Sequence, residues 1–211
     1  MSIATHPSTR QAVLADLIAR PAGRARAFAV DAALVLAGVV LVALLAKVSF
    51  FIGPVPISGQ TLGVIVVGAA LGAKRAAASL TTYMLVGLAG MPVFAGATAG
   101  PAYVLMPSFG FVLGFIPAAY LAGWIAERAW DRNPGLAFIG FVGASIVPFL
   151  IGVPYLAMIL GTVMGQEVTL AGVLNAGVWP FVVPGLIKAA FAALIIPGAW
   201  LLVRAADRTK R

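Results

Sequence analysis

Lys188 is the residue whose chemistry stands out first, because it lies inside the last long apolar segment of the chain. No aspartate or glutamate occurs between Trp179 and Arg204, so that segment supplies no counter-ion. A cation at membrane depth costs several kcal/mol unless a partner offsets it, and such residues usually serve a function. We therefore predict that Lys188 meets the anion of a ligand, a carboxylate being the simplest. The alternative is that its long side chain only reaches toward the membrane surface.

A second group of polar side chains precedes the second apolar segment. Pro54 and Pro56 impose an extended course on the chain, and Ser58 and Gln60 follow them directly. The hydroxyl and the amide are thereby available to hydrogen-bond a ligand. In the alternative interpretation they only cap the start of a helix, which is a common use of polar residues there.

The composition places these residues in a membrane protein. Of the 211 residues, 62% are hydrophobic and only 9% are charged, outside the balance of an ordinary soluble domain. We predict an all-α integral membrane protein with six transmembrane helices, a basic N-terminal segment at 1–26, a membrane domain at 27–204 and a basic tail at 205–211. The helices are expected near residues 28–52, 60–73, 76–90, 108–126, 136–164 and 179–203. The second and third are shorter than the roughly 20 residues of a perpendicular span.

The basic residues predict the orientation of these helices. Twelve of the 14 lysines and arginines fall before the first segment, between the second and third, between the fourth and fifth, or after the sixth. The loops at 53–59, 91–107 and 165–178 contain none. By the positive-inside rule, both termini are predicted to be cytoplasmic. The two remaining cations, Lys47 and Lys188, lie within apolar segments.

Small residues suggest where helices approach each other. Gly68 and Gly72, and Gly110 and Gly114, are spaced by four residues, as are Ala33 and Ala37 in the first segment. Such pairs let backbones come close in a membrane. Packing within the bundle is the simpler interpretation for each pair.

Several functional classes lack the residues they need. There is no G-x-x-x-x-G-K-[ST] phosphate-binding loop, so any ATP is expected to be used by a partner. No acidic residue lies deep in a predicted segment, and the single histidine, His6, lies in the polar N-terminal tail. These absences disfavour intrinsic catalysis and proton coupling. We expect no catalytic residue, metal or cofactor, and the net charge of +8 forms no aromatic-lined patch for nucleic acid.

Four motifs resemble those of the BioY family, in the same order and at similar spacing. They read PVPISGQTLGV from Pro54, GLAGMPVFAG from Gly87, PSFGF from Pro107 and WPFVVPGLIKAA from Trp179. BioY proteins are the biotin-binding S components of energy-coupling factor (ECF) transporters. The resemblance extends over residues 45–200.

The resemblance implies a six-helix S-component bundle in a prokaryotic plasma membrane that captures biotin from outside. A transmembrane scaffold subunit and a pair of cytoplasmic ATPases would act with it, although solitary uptake stays open. In that family an alanine-rich face of the first helix meets the scaffold, and Ala33 and Ala37 match it. Membrane lipid is the remaining partner.

The resemblance also assigns roles to individual residues. Lys188 matches a family lysine and is expected to anchor biotin, most simply by its carboxylate. Three further polar residues and three aromatic ones are expected to contact the polar ends and the apolar body of biotin: Ser58, Gln60 and Ser108, and Tyr83, Phe94 and Tyr155. Each aromatic residue has packing as its alternative role.

Several positions depart from the family pattern. Gly59, Phe109 and Phe111 stand where the family typically has an apolar residue, a glycine and a tyrosine. The most consequential departure is Gly185. Gly185 stands three residues before Lys188, where the family typically has an aspartate. On a helix this spacing would place an acid and the lysine on one face. Its loss leaves two alternatives open: an S component for another small vitamin or a biotin precursor, and, from another class, a small membrane enzyme or assembly protein.

Overall fold

The computed structural model describes the backbone of residues 11–18 and 23–209, and the side chains of residues 11–17 and 23–205. Predictions that concern His6, Arg10, Arg20 and residues 210–211 lie outside these residues. The described chain is almost entirely helical. Its eight α-helices are α1 (Leu14–Ile18), α2 (Arg24–Lys47), α3 (Gln60–Leu71), α4 (Ala73–Leu88), α5 (Phe109–Ala126), α6 (Pro134–Thr162), α7 (Leu170–Gly177) and α8 (Trp179–Thr209).

Each of the six predicted segments contains one of these helices, with shifts at the ends. The first segment was predicted to continue to residue 52, but α2 ends at Lys47. There the chain enters a short antiparallel hairpin of β1 (Ser49–Phe50) and β2 (Ile57–Ser58). Two short helices, α1 and α7, were not predicted, and α7 lies in the expected loop at 165–178.

Four apolar stretches are long enough to cross a membrane: α2, α5, α6 and the stretch Leu170–Ala205 that includes most of α8. The helix α3 is apolar but has only 12 residues. It therefore stays below the length of a perpendicular span, as the sequence predicted. The chain is a multi-pass helical membrane protein.

Helix α5 lies at the centre of the bundle and packs against α3, α4 and α6. Its contacts depend on glycine. A Cβ atom at Gly68 of α3 would lie 2.6 Å from the Cβ atom of Ala122, and one at Gly114 of α5 would lie 2.6 Å from the Cα atom of Pro148 in α6. These glycines are therefore packing positions. Gly72 differs, because it ends α3 with a φ of 83° and makes the turn into α4.

Paired charges tie the helices together at the end of the bundle that carries the α3–α4 turn. Arg75 of α4 donates to Asp31 of α2 at 2.8 Å and to Asp16 of α1 at 2.7 Å. In the turn between α5 and α6, Asp131 is fully buried and accepts a hydrogen bond from the indole of Trp200 at 2.7 Å. Burial raises the pKa of Asp131, although that bond and Arg132 oppose the shift. This acid lies between the predicted fourth and fifth helices.

The outer face of α2 is open. Ala33 and Ala37 are exposed, and so are the larger Leu36, Val40 and Leu44 on the same helix. Only 17% of the most apolar window of α2 is buried within the chain. This helix therefore offers its apolar surface to lipid or to another membrane subunit.

Replacing Gly68 tests the packing of α3 on α5. Gly68→Ala forces a Cβ atom into Ala122 and the Ala119 carbonyl oxygen, so we expect it to lower stability by about 1–3 kcal/mol. For a chain of this size that is a fall in melting temperature of roughly 2–10 °C in detergent. Gly143→Ala in α6 is the matched control, because no atom lies within 4 Å of its added Cβ. Equal melting temperatures for the two variants would contradict the close contact.

Candidate functional site

A cavity lies between α3, α5, α6 and α8, below the hairpin loop. Counted with its open mouth, it has about 620 Å³ of space free of protein atoms. Its lining is mostly apolar with a few polar groups. The lining residues are Val55, Pro56, Ser58, Gln60, Thr61, Tyr103, Ser108, Phe111, Val112, Phe115, Ser145, Pro148, Phe149, Phe181, Gly185 and Lys188.

Lys188 reaches this cavity from α8 and meets only neutral oxygens. Its ammonium donates to the backbone carbonyl of Ser58 at 2.6 Å and to the hydroxyl of Thr61 at 3.1 Å. Among the residues that the structure describes, no carboxylate lies within ion-pairing distance of it. An ammonium has three hydrogens, so one is left for a further acceptor. The charge of Lys188 is solvated by the protein but not neutralised.

Lys47, the other lysine within a predicted apolar segment, has a different setting from Lys188. It is exposed at the end of α2 and donates to the backbone carbonyl of Pro92, outside the cavity. The two lysines that the sequence placed within apolar segments therefore differ in setting. Only Lys188 faces a site.

Polar side chains behind Lys188 form a continuous hydrogen-bond series. The Ser58 hydroxyl lies 2.7 Å from Gln60 Oε1, and Gln60 Nε2 lies 2.7 Å from the Tyr83 hydroxyl. Tyr83 in turn donates to the carbonyl of Val93 at 3.0 Å. Gln60 is 4% exposed and Tyr83 is fully buried, so their bonds are shielded from water. The series joins the hairpin, the start of α3 and the loop after α4.

A second polar contact lies where α5 begins. The hydroxyls of Tyr103 and Ser108 are 2.9 Å apart, and both residues are buried and line the cavity. The ring of Phe94 stacks on Tyr103 with centroids 4.1 Å apart. The loop at 91–107 is thus packed in place by aromatic contacts.

Three phenylalanines form the apolar wall. Phe111 of α5 contacts Phe149 of α6 edge to face, with centroids 5.7 Å apart, and stacks on Phe181 of α8. Phe111 approaches α6 closely because Gly152 has no side chain there. A flat or alicyclic apolar group would fit against these rings.

The structure brings together four of the seven residues predicted to bind the ligand. Lys188, Gln60, Ser58 and Ser108 all line the cavity. That they bind a ligand stays a prediction.

The three aromatic residues lie elsewhere. Tyr83 and Phe94 are fully buried behind Gln60 and Tyr103, and Tyr155 donates to the backbone carbonyl of Val104. None of the three is on the lining, because Phe94 packs between Tyr83 and Tyr103 and the ring of Tyr155 packs against Phe109. In this structure they support the residues that line the cavity.

Other residues that line the cavity were not predicted as site residues from the sequence. Thr61 directly follows Gln60, and Ser145 is the sole hydroxyl in the first half of α6, so both offered a signal. Tyr103 offered none beyond being the only tyrosine of its loop. Gly185 lines the cavity beside Lys188 and has no atom within 4 Å of where its Cβ would lie. The position is therefore open space.

Comparison with known proteins identifies the family of the chain. The profile of the BioY family matches residues 14–205. A biotin transporter BioY from Rhizobium etli is 35% identical over 170 residues, which cover 77% of this chain and 87% of that protein. A probable biotin transporter BioY from Pyrococcus horikoshii is 34% identical over 165 residues, covering 78% and 93%.

A solved structure shares the fold. The S component for biotin from an ECF-type ABC transporter superposes with a TM-score of 0.63 at 21% identity, covering 84% of this chain and 94% of that one. The motifs, the helical bundle and the matched profile all lead to the same assignment. The chain belongs to the BioY family.

Proposed function

We propose that this protein is a membrane-embedded biotin-binding subunit that mediates biotin uptake. The observation that carries the proposal is the cavity beside Lys188, whose ammonium has one hydrogen left and no described carboxylate partner. Biotin offers a carboxylate, an apolar thiophane ring and a ureido ring that both donates and accepts hydrogen bonds. Aromatic walls with a few polar groups are complementary to it. Relatives named as biotin transporters support the choice of ligand.

Within this proposal, Lys188 anchors the biotin carboxylate. An anion would neutralise a charge that the described protein leaves uncompensated, which favours it over a neutral group. Ser58, Gln60 and Ser108 are the polar contacts on the lining. Phe111, Phe149 and Phe181 take the apolar body, a role that the sequence had given to other aromatic residues.

The arrangement in the membrane is part of the proposal. We place six helices across the bilayer, with both termini on the cytoplasmic side of a prokaryotic plasma membrane. The paired charges around Arg75 lie at the opposite end of α3 from the hairpin loop that covers the cavity. If the basic end is cytoplasmic, the cavity opens to the outside.

Delivery to the cytoplasm requires partners in this proposal. The chain has no phosphate-binding loop for ATP, so an ECF scaffold subunit and a pair of ATPases would supply the energy. The exposed Ala33 and Ala37 are small enough to let another helix approach α2 closely. We place the scaffold contact there, with lipid covering the rest of the apolar surface.

The ligand is tested by thermal stabilisation of the detergent-purified protein. Free biotin should raise the melting temperature, because a ligand that binds only the folded state stabilises it. Biotin methyl ester should bind roughly tenfold more weakly or worse, because it loses a hydrogen bond between charged groups. An unchanged melting temperature with free biotin would contradict the proposed ligand. An ester that binds as tightly as biotin would show that Lys188 is not the anchor of the carboxylate.

Replacing each of the two lysines by methionine tests whether Lys188 anchors the biotin carboxylate. Lys188→Met should weaken biotin binding by roughly 30-fold or more, because the ligand carboxylate would be left buried without its cation. Lys47→Met is the matched control: its ammonium bonds a loop carbonyl outside the cavity, so affinity should change by about twofold at most. Calorimetric titration measures both. Similar losses in the two variants would show that Lys188 has no special role.

The scaffold contact is tested by enlarging a residue on α2. Ala37→Trp should reduce biotin uptake in cells that contain the scaffold and ATPases, while binding by the purified protein stays unchanged. Ile139→Trp, at a residue of α6 that is 64% exposed, is the control for a bulky substitution on a surface that faces lipid. Unchanged uptake by Ala37→Trp, with the partners present, would place the scaffold elsewhere.

A further inference from the structure

The hydrogen-bond series behind Lys188 fixes the direction of every hydrogen in it. The Tyr83 hydroxyl has one hydrogen, and two polar groups lie within reach of it. The Val93 carbonyl can only accept a hydrogen bond, so the hydrogen of Tyr83 must point to it. The oxygen of Tyr83 is then left to accept. The group that faces it must be the amide nitrogen of Gln60, at 2.7 Å.

This direction carries over to Ser58. With Nε2 of Gln60 facing Tyr83, Oε1 faces the Ser58 hydroxyl at 2.7 Å. An amide oxygen cannot donate, so Ser58 donates its only hydrogen to Gln60. The Ser58 oxygen also accepts from the backbone N–H of Gln60 at 3.4 Å. Toward the cavity, which Ser58 lines, the hydroxyl therefore offers only its remaining lone pair.

We propose that Tyr83 is a positioning residue that makes Ser58 an acceptor for a ligand N–H group, without touching the ligand itself. The inference rests on biotin as the proposed ligand, because the ureido ring presents two N–H groups. Tyr83 thereby favours a ligand that donates at this point over one that accepts. Gln60 links Tyr83, which does not line the cavity, to Ser58, which does.

Burial makes the preference strict. Tyr83 is fully buried and Gln60 is 4% exposed, so the hydrogen bond between them is shielded from bulk water. A flipped amide would set its oxygen against the oxygen of Tyr83 and leave a buried acceptor without a donor, which costs about 1–3 kcal/mol. Without the Tyr83 hydroxyl that penalty is removed. The Gln60 amide is then free to turn, and Ser58 is free to donate to the cavity.

The test compares biotin with two isosteric analogues, in each of which a ring oxygen replaces one ureido N–H to give a cyclic carbamate. The wild-type protein should bind one of the two analogues at least tenfold more weakly than biotin, because an acceptor then faces the remaining lone pair of Ser58. In Tyr83→Phe this ratio should fall to about threefold or less. The inference predicts a change in this ratio of affinities, and it makes no prediction for either affinity alone.

Tyr155→Phe is the matched control. Both tyrosines donate to a carbonyl of the loop at 91–107, but Tyr155 has no contact with Gln60. Tyr155→Phe should therefore lower the melting temperature as Tyr83→Phe does and leave the ratio of affinities as in the wild-type protein. A merely structural role for Tyr83 would give the same result in both variants, and that would overturn the inference.

The outcomes also separate the inference from the function on which it rests. If wild-type protein binds biotin and discriminates against neither carbamate, Ser58 is not an acceptor for the ligand and the inference fails alone. If wild-type protein does not bind biotin, the proposed function fails first. Binding of biotin with an unchanged ratio in Tyr83→Phe contradicts the positioning role directly.

Discussion

The structure around the cavity depends on the solvation of one ammonium group by neutral oxygens. Lys188 donates to the Ser58 carbonyl and the Thr61 hydroxyl, and these contacts join α8 to the start of α3 across the bundle. A partly buried cation held by dipoles is tolerated, but it lacks the compensation that an opposite charge would give. Within the described residues, the fold thus holds a charge in place without neutralising it. An anion bound there would supply the missing compensation.

The surroundings of Lys188 explain how the position is kept rigid. The hairpin brings the Ser58 carbonyl to Lys188, and the Ser58 side chain begins the series that ends at Val93. Two loops and two helices are therefore fixed by the same bonds. On the other side, the phenylalanines of α5, α6 and α8 pack against each other and give an apolar wall. Separate polar and apolar walls suit a ligand with polar ends and an apolar body.

The helical framework was largely predictable from the sequence, because hydropathy and helix length respond to the same bilayer constraint. Glycine spacing also indicated that Gly68 lies at a helix contact, but not that α5 is the partner helix. Other features were not predictable. In the hairpin, Ser49 and Phe50 pair with Ser58 and Ile57, although the apolar pattern predicted that the first helix continues to residue 52. The burial of Asp131 involves Trp200, which lies 69 residues further along the chain.

By itself, the sequence determined that the chain is a helical membrane protein, that Lys188 is a cation in an apolar segment without an acidic residue, and that Ser58 and Gln60 lie at the start of the second apolar segment. Each of these follows from composition or local order. Only the tertiary structure decided that these residues meet at one cavity, that Tyr83 and Phe94 pack behind Gln60 and Tyr103, and that Phe111, Phe149 and Phe181 form its apolar side. Those assignments depend on which faces of α3, α5, α6 and α8 meet. Helices that are apolar on nearly every face carry no periodic signal of that choice, because lipid and protein neighbours favour the same side chains.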